Sequence, residues 1–412
     1  MSEKNVKKAV KLLPIFDTAE NLSIELSFPS YLSEFKCYKK DYLGAYAFLE
    51  AYKDNKATFN AYRREIERLL QWSWQVAGKS ILKLRRSDIE SYIKFCQKPP
   101  KRWIGLSKPP RFINKNGERQ PNPKWRSFVA TVSKIKNSQG DEPDKNKYSL
   151  SEKAVREIFA VISSFYNFLI QEELTEVNPV AQIRQKSKFI RKQQGQKKIR
   201  RLSDLQWIFV VETAELMAEE DKRHERTLFI LSALYLMYLR VSELVASERW
   251  SPKMNDFKKD NDNQWWFTTV GKGNKERQIA VSNAMLKALK RWRNHLGLSA
   301  LPSPDDGSPL VPAERGKKNI SSTNQIRNIV QHCFDCTAER MITEGFSEEV
   351  GELKSATVHW LRHTGISDDV KRRPREHVRD DAGHSSSSTT DRYIDVDLRD
   401  RHRSAKNKPI TS

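Results

Sequence analysis

The feature that most constrains this chain is a basic segment near its middle, residues 183–201. Its sequence, IRQKSKFIRKQQGQKKIRR, holds nine Lys or Arg side chains and no Asp or Glu. Like charges in such a run repel one another and keep the chain extended, so the segment is unsuited to a packed core. The sequence therefore predicts two folded regions joined by an interdomain linker. A linker of this charge is suited to lie along a nucleic-acid backbone, and a plain solvated connection is the alternative.

Composition points to the same partner. The chain of 412 residues has 74 Lys and Arg against 52 Asp and Glu, a net charge of +22. A surplus of this size attracts polyanions, because each neutralised phosphate releases condensed counterions. Nucleic acid is therefore the leading partner, ahead of a ribosome or an acidic protein. The length suits two domains better than one.

Several protein classes are disfavoured. No stretch approaches the roughly 18 consecutive apolar residues of a membrane span, and the apolar run near the N-terminus is too short for a signal peptide. Four cysteines make a disulfide framework improbable and favour the cytoplasm. Cys333 and Cys336 stand beside His332, a pattern that could suggest zinc. Because no second pair exists, we favour small residues in a helix and expect no metal.

The region before the linker is predicted to be helical. Residues 1–40 are weakly patterned and are expected to form an N-terminal tail. Further on, Phe59, Tyr62, Ile66 and Leu69 recur at helical spacing. Ser87 to Glu90 predicts a capping box that begins another helix. Together with a third pattern over 151–170, these signals predict a helical bundle spanning residues 41–182.

Residues 98–148 interrupt this bundle. They contain prolines that no helix can accommodate, and basic side chains alternate there with aromatic ones. One interpretation is an excursion that contacts DNA, with Lys101, Arg102 and Arg111 among the candidate phosphate ligands. The other is an insertion whose aromatic side chains merely anchor it to the bundle. The sequence leaves both open.

The second region, residues 202–398, is predicted to be mostly helical with one small antiparallel sheet. Ser203 to Gln206 forms a capping-box pattern, and Leu228 to Val245 is apolar enough for one buried helix. The stretch WWFTTVGKGNKERQIAVS predicts strand, tight turn, strand. Helical patterns follow near 283–296 and 322–341, and residues 399–412 are expected to form a C-terminal tail.

The same region holds side chains suited to phosphoryl transfer without a metal. Such a reaction needs cations on the non-bridging oxygens, an acid for the leaving oxygen and an in-line nucleophile. Arginine suits the first task because its planar fork binds phosphate bidentately and remains charged. Each candidate alone is weak evidence, since an isolated tyrosine or a His and Arg at i, i+3 is common. The candidates, in chain order, are Arg240, Lys272, His359, Arg362, His384 and Tyr393.

Their order and the sequence motifs around them resemble the tyrosine recombinase (phage integrase) family. The motifs are LRVSEL, GKGNKER, HWLRH and GHSSSSTTDRY. The resemblance is strong over 202–398 and weaker over the helical region before it, which resembles that family's core-binding domain, a SAM-like bundle. It implies a mainly α protein of two domains. Two departures stand out: Tyr238 occupies a position where the family usually has glycine, and the 98–148 insertion is longer than usual.

When the roles known for the family are transferred to the matching positions, the resemblance implies a set of phosphate contacts. Arg240 and Arg362 would grip the scissile phosphate and stabilise the transition state. His384 would donate a hydrogen bond to the phosphate. Glu243, three residues after Arg240, would orient groups of the active site.

It also implies how protons and the covalent bond move. Tyr393 would attack the phosphorus, giving a 3′-phosphotyrosyl link and a free 5′-hydroxyl. Lys272 would protonate the leaving 5′-oxygen, and His359 would assist proton transfer to or from Tyr393. The bond energy stays in the ester, so neither a nucleotide cofactor nor a metal is required.

The family resemblance further implies partners. These are double-stranded DNA at a specific recombination site, clamped between two domains, and a homotetramer that holds two duplexes. Residues 397–412 could dock on a neighbouring protomer, and an accessory DNA-bending or directionality protein could assist. The linker contributes further candidate DNA contacts, which are Arg191, Lys192, Lys197, Lys198, Arg200 and Arg201.

The expected task is integration, excision or resolution of a mobile element, phage or plasmid. Two alternatives remain. A type IB topoisomerase uses a similar Arg, Lys, Arg, His and Tyr set, but the Gly-His motif and the linker layout favour a recombinase. A non-catalytic DNA-binding relative is the other alternative, although binding alone does not require Tyr393.

Overall fold

We describe the fold from a computed structural model. It describes residues 12–22, 29–132, 140–186, 200–248, 250–271, 274–314, 318–384 and 389–390, with the single residues 137 and 406. The chain divides into two compact units, Met1–Gly195 and Gln196–Ser412. The predicted fold class, mainly helical with a small antiparallel sheet, is confirmed. Among the described helices, none is long and apolar enough to cross a membrane.

The first unit is built from helices that bury one apolar face. Phe59, Ile66 and Leu69 are fully buried, as their helical spacing predicts. The capping box predicted at Ser87 is wrong by two residues. The helix begins at Arg86, and the Asp88 carboxylate accepts from the Arg85 N–H at 2.9 Å because Asp88 occupies the third position of the first turn. The helices are α1 (Lys39–Glu50), α2 (Lys56–Trp72), α3 (Arg86–Gln97), α4 (Glu152–Gln171) and α5 (Pro179–Lys186).

Much of the expected N-terminal tail packs on this bundle. Leu12, Ile15 and Phe16 are buried in the core of the first unit. Residues Ser30–Tyr38 form a 3-10 helix that leads directly into α1. The short apolar run that is too small for a signal peptide therefore serves the core, because burying it removes apolar surface from water.

The insertion forms small sheets anchored by aromatic side chains. Strands β1 (Ile104–Gly105) and β4 (Phe128–Val129) pair in parallel, and β2 (Phe112–Lys115) pairs with β3 (Glu118–Pro121) as a hairpin. Trp103 and Phe128 are fully buried in the core of the first unit. No α-helix occurs within residues 98–132, as the prolines predict. The burial of these rings supports the anchoring interpretation for this part of the insertion.

The second unit combines helices with a three-stranded antiparallel sheet. Its strands are β5 (Phe257–Lys259), β6 (Trp265–Val270) and β7 (Glu276–Ala280), and β6 and β7 form the predicted hairpin. The Ser203 capping box is confirmed, with Gln206 N donating to Ser203 Oγ at 3.2 Å. The helices are α6 (Asp204–Glu220), α7 (Glu225–Leu236), α8 (Asn283–His295), α9 (Thr323–Thr343), α10 (Val350–Ser355), α11 (Val358–Asp369) and α12 (Arg375–Ala382).

The single helix expected over Leu228 to Val245 is wrong. Helix α7 ends at Leu236, and Tyr238 follows with a φ of 50° before a 3-10 turn at Val241–Glu243. Apolar composition alone does not reveal this break, because the residues on both sides are buried. The break matters because it turns Arg240 out of the helix.

Helices α7 and α11 cross at very close range. A Cβ atom on Gly365 of α11 would lie 2.1 Å from the Tyr235 carbonyl oxygen of α7. Only glycine permits this approach, and it brings Arg362, one turn earlier on α11, to the end of α7.

Candidate active site

The first arginine of the site, Arg240, stands at the start of the 3-10 turn after α7. Its backbone N–H donates to Glu243 Oε2 at 2.8 Å, and its Nη1 donates to Glu243 Oε1 at 3.0 Å. Its Nη2 donates to the Gly383 carbonyl at 3.3 Å. The turn thus fixes both the backbone and the guanidinium of Arg240, and about a quarter of the side chain stays accessible, 28%.

Arg277 of β7 is a site residue that the sequence analysis missed. It forms a bidentate pair with the buried Glu243, at 2.7 Å and 2.8 Å, and its Nε donates to the Asp381 carbonyl at 3.0 Å. The sequence did contain a signal for Arg277, because it is the last residue of the motif GKGNKER. Burial raises the pKa of Glu243, but Arg277 and Arg240 more than offset this, so that pKa is lowered.

The glycine before Lys272 packs directly against this cluster. A Cβ atom at Gly271 would lie 3.0 Å from Arg277 Nη1 and 3.4 Å from Arg240 Nη1. The start of the β6–β7 turn therefore lies beside both guanidiniums. Lys272 itself lies outside the described residues, as does Tyr393.

The second predicted arginine, Arg362, is 5% exposed and is held by backbone carbonyl groups. Its Nη1 donates to the Tyr238 carbonyl, and its Nη2 donates to the Ala382 carbonyl at 2.6 Å. Its Nη2 also lies 3.3 Å from His384 Nε2. These three acceptors are uncharged, so they orient the guanidinium without cancelling its charge.

His384 follows α12 through Gly383, whose φ of 62° turns the chain back towards Arg362. Its Nδ1 lies 2.9 Å from Thr390 Oγ1. Because a guanidinium only donates, Nε2 accepts from Arg362 and Nδ1 carries the proton in this arrangement. Burial, followed by Arg362 and Arg240, lowers the pKa of His384 to about 4. Donation to a phosphate from Nε2 would require the other tautomer or protonation.

Two further histidines lie on α11. His359 is exposed on its first turn, on the same side as Arg362. Partial desolvation, followed by Arg327, Arg362 and Arg240, lowers the pKa of His359. Burial, followed by Arg362 and His359, lowers the pKa of His363 to about 4. Both rings are therefore neutral at pH 7, and a neutral imidazole can accept a proton.

The electrostatic result is a concentrated positive site. Arg240 and Arg277 share the buried carboxylate of Glu243, and Arg362 lies beside His384 in the same site. Two guanidiniums thus share one carboxylate, and backbone carbonyl groups further orient Arg240 and Arg362. Such a cluster can contact both non-bridging oxygens of a phosphodiester. It can also stabilise the negative charge that develops on these oxygens when the phosphorus is attacked.

The candidate DNA contacts have different surroundings. Lys101, Arg102 and Arg200 are exposed. Arg111 instead pairs with the buried Glu67 and stacks on the Trp125 ring at 4.6 Å, which favours a structural role. Arg201 lies 3.5 Å from Asp368. Four linker candidates lie outside the described residues: Arg191, Lys192, Lys197 and Lys198.

The possible zinc ligands do not assemble in this part of the chain. Cys333 is buried, and Cys336 Sγ lies 3.9 Å from His332 Nδ1 on the next turn of α9. Among the described residues, no group of three or more His, Cys, Asp or Glu side chains could hold a metal ion.

Known proteins resemble this chain in sequence. Residues 207–399 match the phage integrase family. The tyrosine recombinase XerC of Thermodesulfovibrio yellowstonii is 28% identical over 258 residues, which are 60% of this chain and 73% of XerC. A tyrosine recombinase of Pseudothermotoga lettingae is 26% identical over 260 residues, which are 61% and 73% of the two chains.

Solved structures share the fold. The XerH site-specific recombinase, in a post-cleavage complex with its difH substrate, has a TM-score of 0.52 at 14% identity and covers 94% of this chain and 92% of its own. A lambda integrase dimer bound to a core site has a TM-score of 0.50 at 11% identity and covers 84% and 95%.

The fold of this chain, including the unit that holds the three-stranded sheet and the arginine cluster, is therefore shared with these recombinase structures. The second unit is similar in sequence to the phage integrase family over residues 207–399, and the chain is similar to tyrosine recombinases such as XerC.

Proposed function

We propose that this protein is a site-specific DNA recombinase that cuts and rejoins DNA strands through a 3′-phosphotyrosyl link to Tyr393. One observation carries the proposal: Arg240 and Arg362 come from different elements and lie in the same site. Uncharged carbonyl groups orient the guanidinium of Arg362, which keeps its positive charge. The match of residues 207–399 to the phage integrase family supports the same reaction.

On this proposal, Arg240 and Arg362 bind the non-bridging oxygens of the scissile phosphate. Glu243 keeps Arg240 in position through its backbone N–H and guanidinium, and Arg277 balances the Glu243 charge. His384 donates to the phosphate once its proton resides on Nε2. Preorganised donors of this kind lower the barrier because they need not reorient as charge develops.

The covalent step needs proton transfers at both oxygens. The Tyr393 oxygen attacks phosphorus and forms the 3′-phosphotyrosyl bond, while the bond to the 5′-oxygen breaks. His359, neutral at pH 7, accepts the tyrosine proton, and Lys272 donates a proton to the leaving 5′-oxygen. Attack by a 5′-hydroxyl of a partner strand reverses these steps, so the reaction consumes no cofactor.

The substrate is double-stranded DNA, and contacts to its backbone come from basic side chains outside the active site. We assign such contacts to the exposed Lys101, Arg102 and Arg200 and to the linker residues Arg191, Lys192, Lys197 and Lys198. Arg111 and Arg201 contribute less, because each already lies beside a carboxylate.

The biological setting follows from the reaction class. Strand exchange between two duplexes requires a homotetramer with four active sites, and residues 397–412 are available to link protomers. The target is a specific recombination site of a mobile element, phage or plasmid, in the cytoplasm, where an accessory DNA-bending or directionality protein could set the direction. Relaxation by a type IB topoisomerase mechanism is the second candidate, and simple DNA binding is the third.

A suicide-substrate experiment tests the proposal. The full chain is incubated, without added metal, with nicked duplexes taken from the DNA that flanks its own gene, and products are separated on a denaturing gel. A slow-migrating covalent complex that is lost in Tyr393→Phe, while DNA affinity is kept, is the expected result. Because the nick releases the short 5′-hydroxyl fragment, the complex accumulates.

Two controls separate the candidates. Supercoiled plasmid that lacks any flanking site should stay supercoiled, whereas a topoisomerase would relax it. Strand exchange between two flanking duplexes should yield recombinant products of defined length. Tight binding without any covalent complex on every flanking duplex would contradict catalysis and favour the binding-only alternative.

A further inference from the structure

We propose that Tyr238 is a positioning residue for Arg362, acting through both its backbone and its hydroxyl group. The inference rests on the proposed cleavage reaction. It concerns a position where the sequence departs from the phage integrase family, which usually has glycine there.

The backbone of Tyr238 adopts an uncommon conformation. Its φ of 50° lies in the left-handed region, which is strained for a bulky L-residue. This conformation breaks the chain away from α7 and aims the Tyr238 carbonyl at Arg362 Nη1. A glycine would reach the same conformation without strain, so the tyrosine side chain must contribute something that glycine lacks.

The hydroxyl group joins two helices of the active site. It donates to Asp369 Oδ2 at the end of α11 and accepts from Arg373 Nη1 at 3.0 Å. Arg373 Nη2 then donates to Asp381 Oδ2 at 2.6 Å on α12. Asp381 Oδ1 accepts in turn from the Ala280 N–H at the end of β7, at 3.2 Å.

The ring makes the same connection through packing. Tyr238 is 1% exposed and forms a small apolar cluster with Ile366 of α11 and with Val378 and Ala382 of α12. Ala382 is also the residue whose carbonyl accepts from Arg362 Nη2. Tyr238 therefore supplies one of these two carbonyl acceptors directly and packs against the residue that supplies the other.

His384 and Arg240 depend on the same junction. Gly383 and His384 follow Ala382 immediately, and the Gly383 carbonyl accepts from Arg240 Nη2. Loss of the Tyr238 hydroxyl would remove the common partner of Arg373 and Asp369, whose direct contact is longer at 3.5 Å, and would loosen α12 against α11. The expected consequence is a misdirected Arg362 charge in a protein that still folds and binds DNA.

The test is Tyr238→Phe in the full chain, with Tyr235→Phe as the matched control. Tyr235 hydroxyl donates to Asp368 Oδ2 at 2.8 Å, an equivalent tyrosine–aspartate bond between α7 and α11. The Tyr235 bond is not part of the chain through Arg373 and Asp381 to α12. Single-turnover cleavage of the nicked suicide duplex and DNA affinity are measured separately for each variant.

We expect Tyr238→Phe to slow cleavage by about tenfold or more, with DNA affinity unchanged, and Tyr235→Phe to stay within about threefold of the parent. A second substrate carries a methylphosphonate at the scissile position, which is uncharged and needs less help from Arg362. On that substrate the deficit of Tyr238→Phe should shrink towards parity, whereas a general loss of folded protein would slow both substrates equally.

Three outcomes would overturn the inference: parental cleavage by Tyr238→Phe, an equal deficit in Tyr235→Phe, or an equal deficit on both substrates. Should Tyr238→Phe fail to fold, Tyr238→Gly decides the question. It removes the backbone strain together with the bridge, so parental cleavage by Tyr238→Gly would overturn the inference and slowed cleavage at parental affinity would support it. Failure of the parent itself to form a covalent complex would instead overturn the proposed function, and this inference with it.

Discussion

Arginine side chains in the two units of this protein illustrate two kinds of surroundings. In the first unit, Arg111 pairs with the fully buried Glu67, and Arg68 Nη1 lies 3.0 Å from Glu65 Oε2. In the second unit, Arg362 donates to the carbonyls of Tyr238 and Ala382. The first arrangement joins opposite charges, and the second holds a charge with uncharged dipoles.

The difference separates two uses of a buried guanidinium. A charge removed from water is expensive unless it is paired, and a carboxylate partner compensates it most fully. Carbonyl acceptors compensate less, but they leave the charge able to act on an incoming anion. Arg111 therefore serves stability, whereas Arg362 is held ready for a phosphate at some cost in stability.

The largest effect that tests this comparison is expected from Arg362→Lys. Lysine keeps the positive charge but loses the planar fork that meets the Tyr238 and Ala382 carbonyls, so the charge is misplaced. We expect single-turnover cleavage to slow by about 10²–10³-fold, as for loss of one preorganised donor. Arg111→Lys is the control, and it should alter stability without slowing cleavage per folded molecule. Equal cleavage deficits in the two variants would remove the distinction between the units.

The reverse experiment targets the paired arginine of the first unit. Glu67→Ala leaves Arg111 buried beside a lost partner, and breaking a buried pair in this way costs about 3–5 kcal/mol in free energy of unfolding. Urea unfolding followed by circular dichroism measures the loss. Glu50→Ala removes the exposed partner of Lys53 and should have a much smaller effect. A small loss at Glu67 would mean that the buried pair contributes little.

Glu243 offers a sharper test, because it is a buried carboxylate within the active site. Glu243→Gln should slow cleavage by about 10–100-fold, since Arg240 and Arg277 lose the charge that holds them. DNA affinity should stay equal or rise, because one negative charge leaves the site. Glu225→Gln is the matched control, since Glu225 forms a similar bidentate pair with Arg291 at 2.7 Å and 2.9 Å on α7 and α8. A fall in affinity that matches the fall in cleavage would contradict the positioning role of Glu243.

The sequence predicted the parts of this molecule that depend on local pattern. Helical spacing and the Ser203 capping box were sufficient for the fold class, and the sequence motifs predicted that Arg240, Arg362 and His384 belong together. It could not predict which buried residues are partners across the chain. Arg277 was missed because its meaning depends on Glu243, which lies 34 positions away.

Backbone conformation was equally hidden from sequence. The helix expected through Tyr238 ends before it; there Tyr238 adopts a positive φ, and its hydroxyl contacts Asp369 and Arg373, 131 and 135 positions away. Tertiary contacts of this kind override local preference. The roles of Lys272 and Tyr393 stay predictions, since both lie outside the described residues.

The smallest expected effect is the change in free energy of unfolding with pH, which should have opposite signs in the two units. All eight histidines lie in the second unit, where burial and neighbouring arginines lower the pKa of His363 and His384 to about 4. An unfolded histidine titrates near pH 6.5. Between these values the unfolded state binds more protons, so the free energy of unfolding of this unit should fall as the pH falls from 7.5 to 6.0.

The free energy of unfolding of the first unit should not fall over the same pH range. Burial raises the pKa of Asp41 and Glu67 there, so any proton taken up on acidification enters the folded state first and opposes unfolding. Hydrogen exchange of the full chain, corrected for intrinsic exchange rates at each pH, reports both units at once. Raised carboxyl pKa values at Asp256 and Asp368 partly oppose the histidines in the second unit, so His363→Gln is the necessary comparison. If the histidines cause the pH dependence, His363→Gln weakens the pH dependence of the free energy of unfolding in the second unit and leaves that of the first unit unchanged. An equal pH dependence in both units would show that buried neutral histidines do not cause it.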